Sequence, residues 1–395
     1  MSAQDNNKTG PLVGIRILEM AGIGPGPYAC MLLADMGAEV IRIDRHTGGT
    51  GMEGLPADVT GRGRRSLALN LKSPEGVSLL LSLVETADVL IEGFRPGVME
   101  KLGLGPDICL QRNPKLIYGR MTGWGQDGPL AKTAGHDINY IAISGMLSAF
   151  GDSDRSPPTP LNVVGDLGGG AMFLLSGVLA ALVERSQSGQ GQVIDAAISD
   201  GTASLLSTIH GLMGLGFWER ERQSNILDGG APFYRCYECA DGRYISFGGI
   251  EPQFYQQWLE RLNLDLGGTD YAVQMDKAAW PEQTRKVAQR VSEKTLDEWL
   301  AIFEGSDACV APVVGLEEAE RHPHNQARET FVRQGGVLQA AVAPRFSRTP
   351  GQVGIQSVAV GADTRAILGE LGVGEDRIAE LCENGAVKAT DPEPS

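Results

Sequence analysis

The segment AGHDINYIA, residues 134–142, sets His136 beside Asp137 at the head of an apolar run, in a chain with only five histidines. Imidazole changes charge near neutral pH, so His136 is a candidate proton carrier, against the plainer role of a structural hydrogen bond. Asp166 is the second candidate, because NVVGDLGGGAMFLL puts it just ahead of three glycines and an apolar helical pattern. A carboxyl there either caps the helix, worth about 1 kcal/mol, or points into a cleft that the glycines keep open. The glycines favour the cleft. Asp137 is suited to cap a helix beginning near Ile138, or to orient the loop, rather than to carry the proton itself.

Two further groups could hold a ligand. GIGPGP, residues 22–27, lies where a dinucleotide fingerprint would lie, but Pro27 stands in place of the third glycine and Arg45 follows the acid expected to meet the ribose. The turn still lets a ligand backbone or phosphate approach closely. Arg45, Asn70, Lys72 and Arg95 each follow a predicted strand. If those ends share one rim, they form a local cationic pocket suited to phosphates.

The elements that must position these residues alternate. GIRILEM (14–20), AEVIRID (38–44), ADVLIEG (87–93) and PKLIYGRMTG (114–123) read as strands, with helical spacing in YACMLLADMG and in the stretch opened by Ser73 and Pro74. This predicts a Rossmann-like parallel-sheet α/β domain over residues 1–205, completed by 330–395. FYRCYECADGRYISFGGI reads as a hairpin turning at Asp241-Gly242, followed by helical stretches over 252–264 and 281–303. A smaller α+β domain is expected over 225–325, with 206–224 and 326–329 as linkers.

Composition excludes several classes. A net charge of −15 on 395 residues is unsuited to a nucleic-acid surface, so an anionic ligand must meet a local basic cluster. MSAQDNNKTG lacks the basic start and apolar core of a targeting segment, and the ending DPEPS lacks a peroxisomal address, so the expected location is the cytoplasm. AMFLLSGVLAALV, residues 171–183, is shorter than the roughly 20 residues a bilayer crossing needs, and is expected as a buried helix. Six scattered cysteines suit a reducing compartment, and Cys236 and Cys239 have no second pair at metal spacing.

From about Gly14 to about Asp363 the chain resembles the α-methylacyl-CoA racemases of the family III CoA-transferase superfamily. The stretches that carry the resemblance are AGIGPGPYACMLLADMGAEVIRIDR, GRGRRSLALNLK, IEGFRPGVMEKLGLGP, YGRMTGWGQ, AGHDINYIAISG, LNVVGDLGGG, LDGGAPFYRCY and GGIEPQFY. The resemblance implies the family III CoA-transferase fold in an interlocked homodimer. It implies that His136 and Asp166 are the acid/base groups and that Glu251 orients His136 from the partner subunit. It implies that the CoA moiety and thioester meet Arg45, Leu69, Asn70, Leu71, Lys72, Gly93, Phe94, Arg95, Lys101, Gly135, His136, Asp137, Ile138, Asn139 and Tyr140. The implied reaction exchanges the (R) and (S) forms of a 2-methylacyl-CoA by removing a proton from one face of the α-carbon and delivering a proton to the opposite face. CoA is then part of the substrate, and no separate cofactor or metal is expected.

An aspartate titrating near its ordinary ~3.9 would be ionised at neutral pH, so this chemistry requires Asp166 to be raised by burial or a shared proton network. The alternative within the superfamily is a CoA-transferase using Asp166 as nucleophile. That chemistry does not need His136, and such transferases carry a glycine-richer loop where this chain has FGGIEPQFY. An NAD-dependent oxidoreductase is disfavoured by the broken fingerprint, and a non-catalytic acyl-CoA binder requires that His136 and Asp166 be unable to transfer protons. Leu212, Met213, Phe217 and Trp218 are candidates to line the acyl pocket, though core packing explains them equally well.

Overall fold

The computed structural model describes residues 9–49 and 51–390. Residues 1–8 and the closing DPEPS, on which much of the targeting reading falls, lie outside the described residues.

The chain forms two compact units. In the first, strands β1 (Arg16–Met20), β2 (Glu39–Arg45), β3 (Arg64–Leu69), β4 (Val89–Glu92), β5 (Ile117–Thr122) and β6 (Gln192–Ala197) follow the expected runs. The second unit holds β7 (Tyr234–Glu238), β8 (Tyr244–Gly248) and β9 (Val310–Val313). The chain then returns to the first unit with the hairpin β10 (Phe331–Gln334) and β11 (Val337–Ala340) and with β12 (Val387–Lys388).

The main sheet runs β12-β3-β2-β1-β4-β5-β6. Six strands are parallel and only β12 is antiparallel, against β3. Alternation along the strands fills both faces. Ile17, Val40, Val89 and Ile117 pack with Leu33, Leu174 and Val178 on one side. Leu18, Ile41, Leu90 and Tyr118 pack with Leu80, Leu83, Ile367 and Ile378 on the other. Strand order reverses between β1 and β4, which opens a crevice at their carboxyl ends where ligands bind in sheets of this kind.

Local signals explain the helix boundaries. Ser73 caps the helix Pro74–Val84 by accepting from the Gly76 amide, with Pro74 at the first helical position. In the second unit, β7-β8-β9 form an antiparallel sheet over Trp258, Trp299 and Tyr255. The expected helical stretch 281–303 is two helices, Trp280–Val291 and Leu296–Phe303, because Thr295 and Glu298 form a capping box that starts a new helix.

Two sequence expectations change. Residues 145–159, expected in the first domain, belong to the second unit, where Gln223 Nε2 donates to Asp152 Oδ1 at 2.8 Å. The intended linker 206–224 is also part of that unit, and starts with the helix Ser207–Gly214, while 326–329 falls in the first. The apolar stretch after Asp166 is not a fully buried helix: Leu174, Leu175, Val178 and Ala181 are buried, but Met172, Phe173 and Val183 are exposed. It continues a helical run over Val163–Ser188, 26 residues that are long and apolar enough to cross a membrane by length and composition alone. The glycine-rich GDLGGGA is itself helical and joins that run.

Candidate active site

At the crevice between β1 and β4 lies a cleft of about 580 Å³ whose lining includes His136, Tyr140, Asn162 and Asp166. The glycine turn Gly22–Pro27 forms one wall, and the loops after β4 and β5 contribute Gly93–Pro96 and Gly123–Trp124. A second cleft of about 600 Å³ shares Gly22–Gly24, Gly93 and Phe94 with it and reaches Arg42, Arg45 and Arg64.

His136 is the extended residue before the helix Asp137–Ile143. Its own amide donates to Asn139 Oδ1 at 3.0 Å, which fixes the entry of the chain into the helix. The Tyr140 hydroxyl donates to the Gly135 carbonyl, and the Tyr140 ring meets Trp124 edge to face at 4.6 Å. The backbone before His136 is thus held from the next helical turn, while the imidazole stands exposed at the cleft.

Asp166 is not a helix cap. It sits inside a π-helical segment, Val163–Ala171, that leads into the helix Met172–Ser188. Such widened turns are rare and frequent at functional sites. Asn162 Nδ2 lies 3.4 Å from Asp166 Oδ2, and the Asp166 amide donates to Asp137 Oδ2 at 2.7 Å. Burial pushes the Asp166 carboxyl above the ordinary carboxylate range, which Asn162 opposes, Asp137 reinforces and His136 opposes.

The glycines serve differently from the expectation. A side chain at Gly169 would strike Thr202, and one at Gly170 would crowd Ile198 and Pro25, so these glycines bring helices together rather than clear space for a ligand. Gly24 is the ligand-side glycine. Its φ of 78° requires glycine, and its α-hydrogen side faces Asp166 Oδ2, 3.5 Å from where a Cβ would stand.

The structure separates the residues expected to meet CoA. Gly93, Phe94, Arg95, Gly135, His136 and Tyr140 line the first cleft, and Arg45 lines the second. Ile138 and Asn139 are exposed on the first turn of the helix, whereas Asp137 is buried. The Leu69 side chain is buried in the hydrophobic core, and that of Leu71 is partly buried against it. Asn70 Nδ2 is spent on the Gly385 carbonyl at 3.2 Å. Asn70, Lys72 and Lys101 line neither cleft, although Lys72 and Lys101 are exposed. Glu251 is in the second unit, exposed at the start of the helix Pro252–Leu262. Leu212, Met213, Phe217 and Trp218 also belong to that unit, and none of them is buried.

Sequence reasoning missed the floor of the site. Glu19 and Arg64 are both 1% exposed and paired at 2.9 Å, and Arg64 also donates to the Pro27 carbonyl, which pins the glycine turn. The available signal was an acid inside the otherwise apolar end of GIRILEM. Asn162 was also missed, although it precedes Asp166 by one helical turn.

The chain matches CoA-transferase family III over residues 12–364. It belongs to that family. Among curated relatives, the mouse α-methylacyl-CoA racemase is 47% identical over 96% of this chain and 98% of its own, and the human enzyme of the same name is 42% identical over 96% and 99%. The succinyl-CoA–D-citramalate CoA-transferase of Chloroflexus aurantiacus is 32% identical over 94% of this family member and 96% of its own chain. Among solved structures, a CAIB/BAIF family protein from Brucella suis matches at a TM-score of 0.79 with 25% identity, over 92% of this chain and all of its own. The fold is therefore the family III CoA-transferase fold.

Proposed function

We propose that this chain is a racemase that interconverts (R)- and (S)-2-methylacyl-CoA thioesters through an enolate. The observation that carries the reading is an imidazole and a raised carboxyl lining one cleft. The high identity to two α-methylacyl-CoA racemases over nearly the whole chain supports it. For the (S) substrate, neutral His136 takes the α-proton as its C–H bond breaks, and protonated Asp166 gives its proton to the opposite face. For (R) the roles reverse. One C–H bond is lost and one gained, so no electrons are exchanged.

The thioester oxygen of the enolate needs fixed donors in a dry site. The amides of Asp137 and Ile138 suit this, because they stand in the first turn of their helix, where no intrahelical acceptor exists. Incubating one pure epimer of a 2-methylacyl-CoA with the enzyme should yield both epimers in near-equal amounts by chiral chromatography. Accumulation of a hydroxylamine-trappable enzyme-CoA thioester without epimerisation would instead favour the CoA-transferase reading.

Arg45 and Arg95 are exposed, without an acidic partner among the described residues; Arg45 ends β2 and Arg95 follows β4, at the rim where parallel strands end. They are the cations we assign to the phosphates of CoA. Arg95→Ala should raise KM by roughly 10- to 100-fold, the loss expected for a charge-assisted hydrogen bond, and leave kcat nearly unchanged. Steady-state kinetics at two salt concentrations checks both the size and the electrostatic origin.

Glu251 is read as the carboxylate that orients His136 from the partner subunit of a homodimer. Large apolar side chains exposed at several places on the first unit, Ile143, Leu161 and Val183 at 61–70%, are compatible with such an assembly. Light scattering after gel filtration should give twice the 42.0 kDa of the chain. A monomer that racemises at full rate would remove the partner subunit from this reading.

A further inference from the structure

Asp137 is buried at 7% exposure beside two proton carriers, yet no step above uses its side chain. Its Oδ2 accepts the Asp166 amide at 2.7 Å, and its Oδ1 is buried without a hydrogen-bond partner. The neighbouring backbone is shaped to admit it: a Cβ at Gly165 would overlap the Asp137 carboxyl. We propose that Asp137 is a positioning residue, whose carboxylate grips the amide of Asp166 and stands as a fixed negative charge beside the Asp166 carboxyl. This rests on the acid/base role proposed for Asp166.

The arrangement has two effects. The grip ties the helix Asp137–Ile143, which His136 begins, to the π-helical segment that carries Asp166, so the two proton carriers keep one spacing. A displacement of about 1 Å costs on the order of 100-fold in rate. The charge acts on the proton. A like charge beside a carboxyl disfavours its ionisation, and Asp137 acts on Asp166 in that sense. The other titratable groups that act on or are acted on by Asp166 are His136 and Tyr140, and Arg95 also acts on Tyr140. Glu19, in the same cleft, is neutralised by Arg64. Asp137 is thus the acidic neighbour on hand to keep Asp166 protonated.

The test is a ¹³C NMR titration of the full-length protein labelled at the aspartate carboxyls, with the Asp166 signal identified by its loss in Asp166→Asn. In Asp137→Asn the amide oxygen still accepts the Asp166 N–H, but the charge is gone. The Asp166 midpoint should then move to lower pH by about 1, with kcat lower by about tenfold and KM within about threefold. Asp137→Ala, which also loses the acceptor, should lower kcat by about 100-fold at similar KM. An unmoved midpoint in Asp137→Asn overturns the proposal, as does a wild-type kcat in Asp137→Ala. If Asp137→Ala does not fold, the isosteric Asp137→Asn carries the test alone. The titration needs no turnover, so a wild-type enzyme inert toward 2-methylacyl-CoA would count against the proposed function and not against Asp137.

Discussion

Asp166→Asn is expected to lower kcat for racemisation by roughly 10³-fold in both directions, within the range that a positioned acid or base contributes. The amide has the shape of the carboxyl and can still meet Asn162, so the half-buried turn should keep its fold. What it loses is the ability to give or take a proton. His136 remains, and it can still remove the α-proton of the (S) epimer and return it to the same face. Deuterium should therefore enter (S)-2-methylacyl-CoA in D₂O with retained configuration, while the (R) epimer stays unlabelled. ¹H NMR of the α-position checks both halves. The substitution leaves Arg45 and Arg95 in place, so affinity for CoA should stay within about threefold.

His136→Ala should show the mirror image. Racemisation falls by a similar factor, again roughly 10³-fold, but the surviving exchange belongs to the (R) epimer, whose proton faces Asp166. The opposed labelling patterns matter more than the size of either loss. A general collapse of the cleft would abolish exchange of both epimers in both variants. Loss of one proton carrier abolishes exchange of one epimer in each.

The same pair sets the pH dependence. As proposed, it works with one proton between its two members, so activity is expected to fall at low pH as a second proton is taken up and at high pH as the last proton leaves. Burial raises Asp166, which increases the share of the pair in which the carboxyl holds the proton. The equilibrium between epimers does not depend on pH, so kcat/KM must follow one bell-shaped curve in both directions.

Much of this was legible because physical signals were local. The β-rich runs at 14–20, 38–44, 87–93 and 114–123 and the helix cap at Ser73 follow from periodicity and capping, and the reversal of strand order between β1 and β4 then locates the cleft. Arg45 and Arg95 were legible as strand-end cations, and the structure puts Arg95 on the first cleft and Arg45 on the second. The features that escaped depend on long-range packing. Asp166 lies in a π-helical segment whose Gly169 packs closely on Thr202 of the helix Ile198–Leu205, a contact no window around GDLGGG contains. Leu69 and Leu71 belong to the core although their neighbours Asn70 and Lys72 are polar, since alternate residues at a strand end face opposite ways. The buried Asp137 looked like a cap, and only the fold brings the Asp166 amide to it.

The account stands on two different proton carriers addressing opposite faces of one carbon. The most direct measurement is early-time product labelling: each pure epimer is incubated with wild-type enzyme in D₂O, and the new epimer is isolated at a few per cent conversion. Two carriers predict a product that carries deuterium at the α-carbon in both directions, because the incoming hydron comes from a group already exchanged with solvent. A product that keeps the substrate's own proton would mean that a single group removes and returns it, and would contradict the assignment of His136 and Asp166.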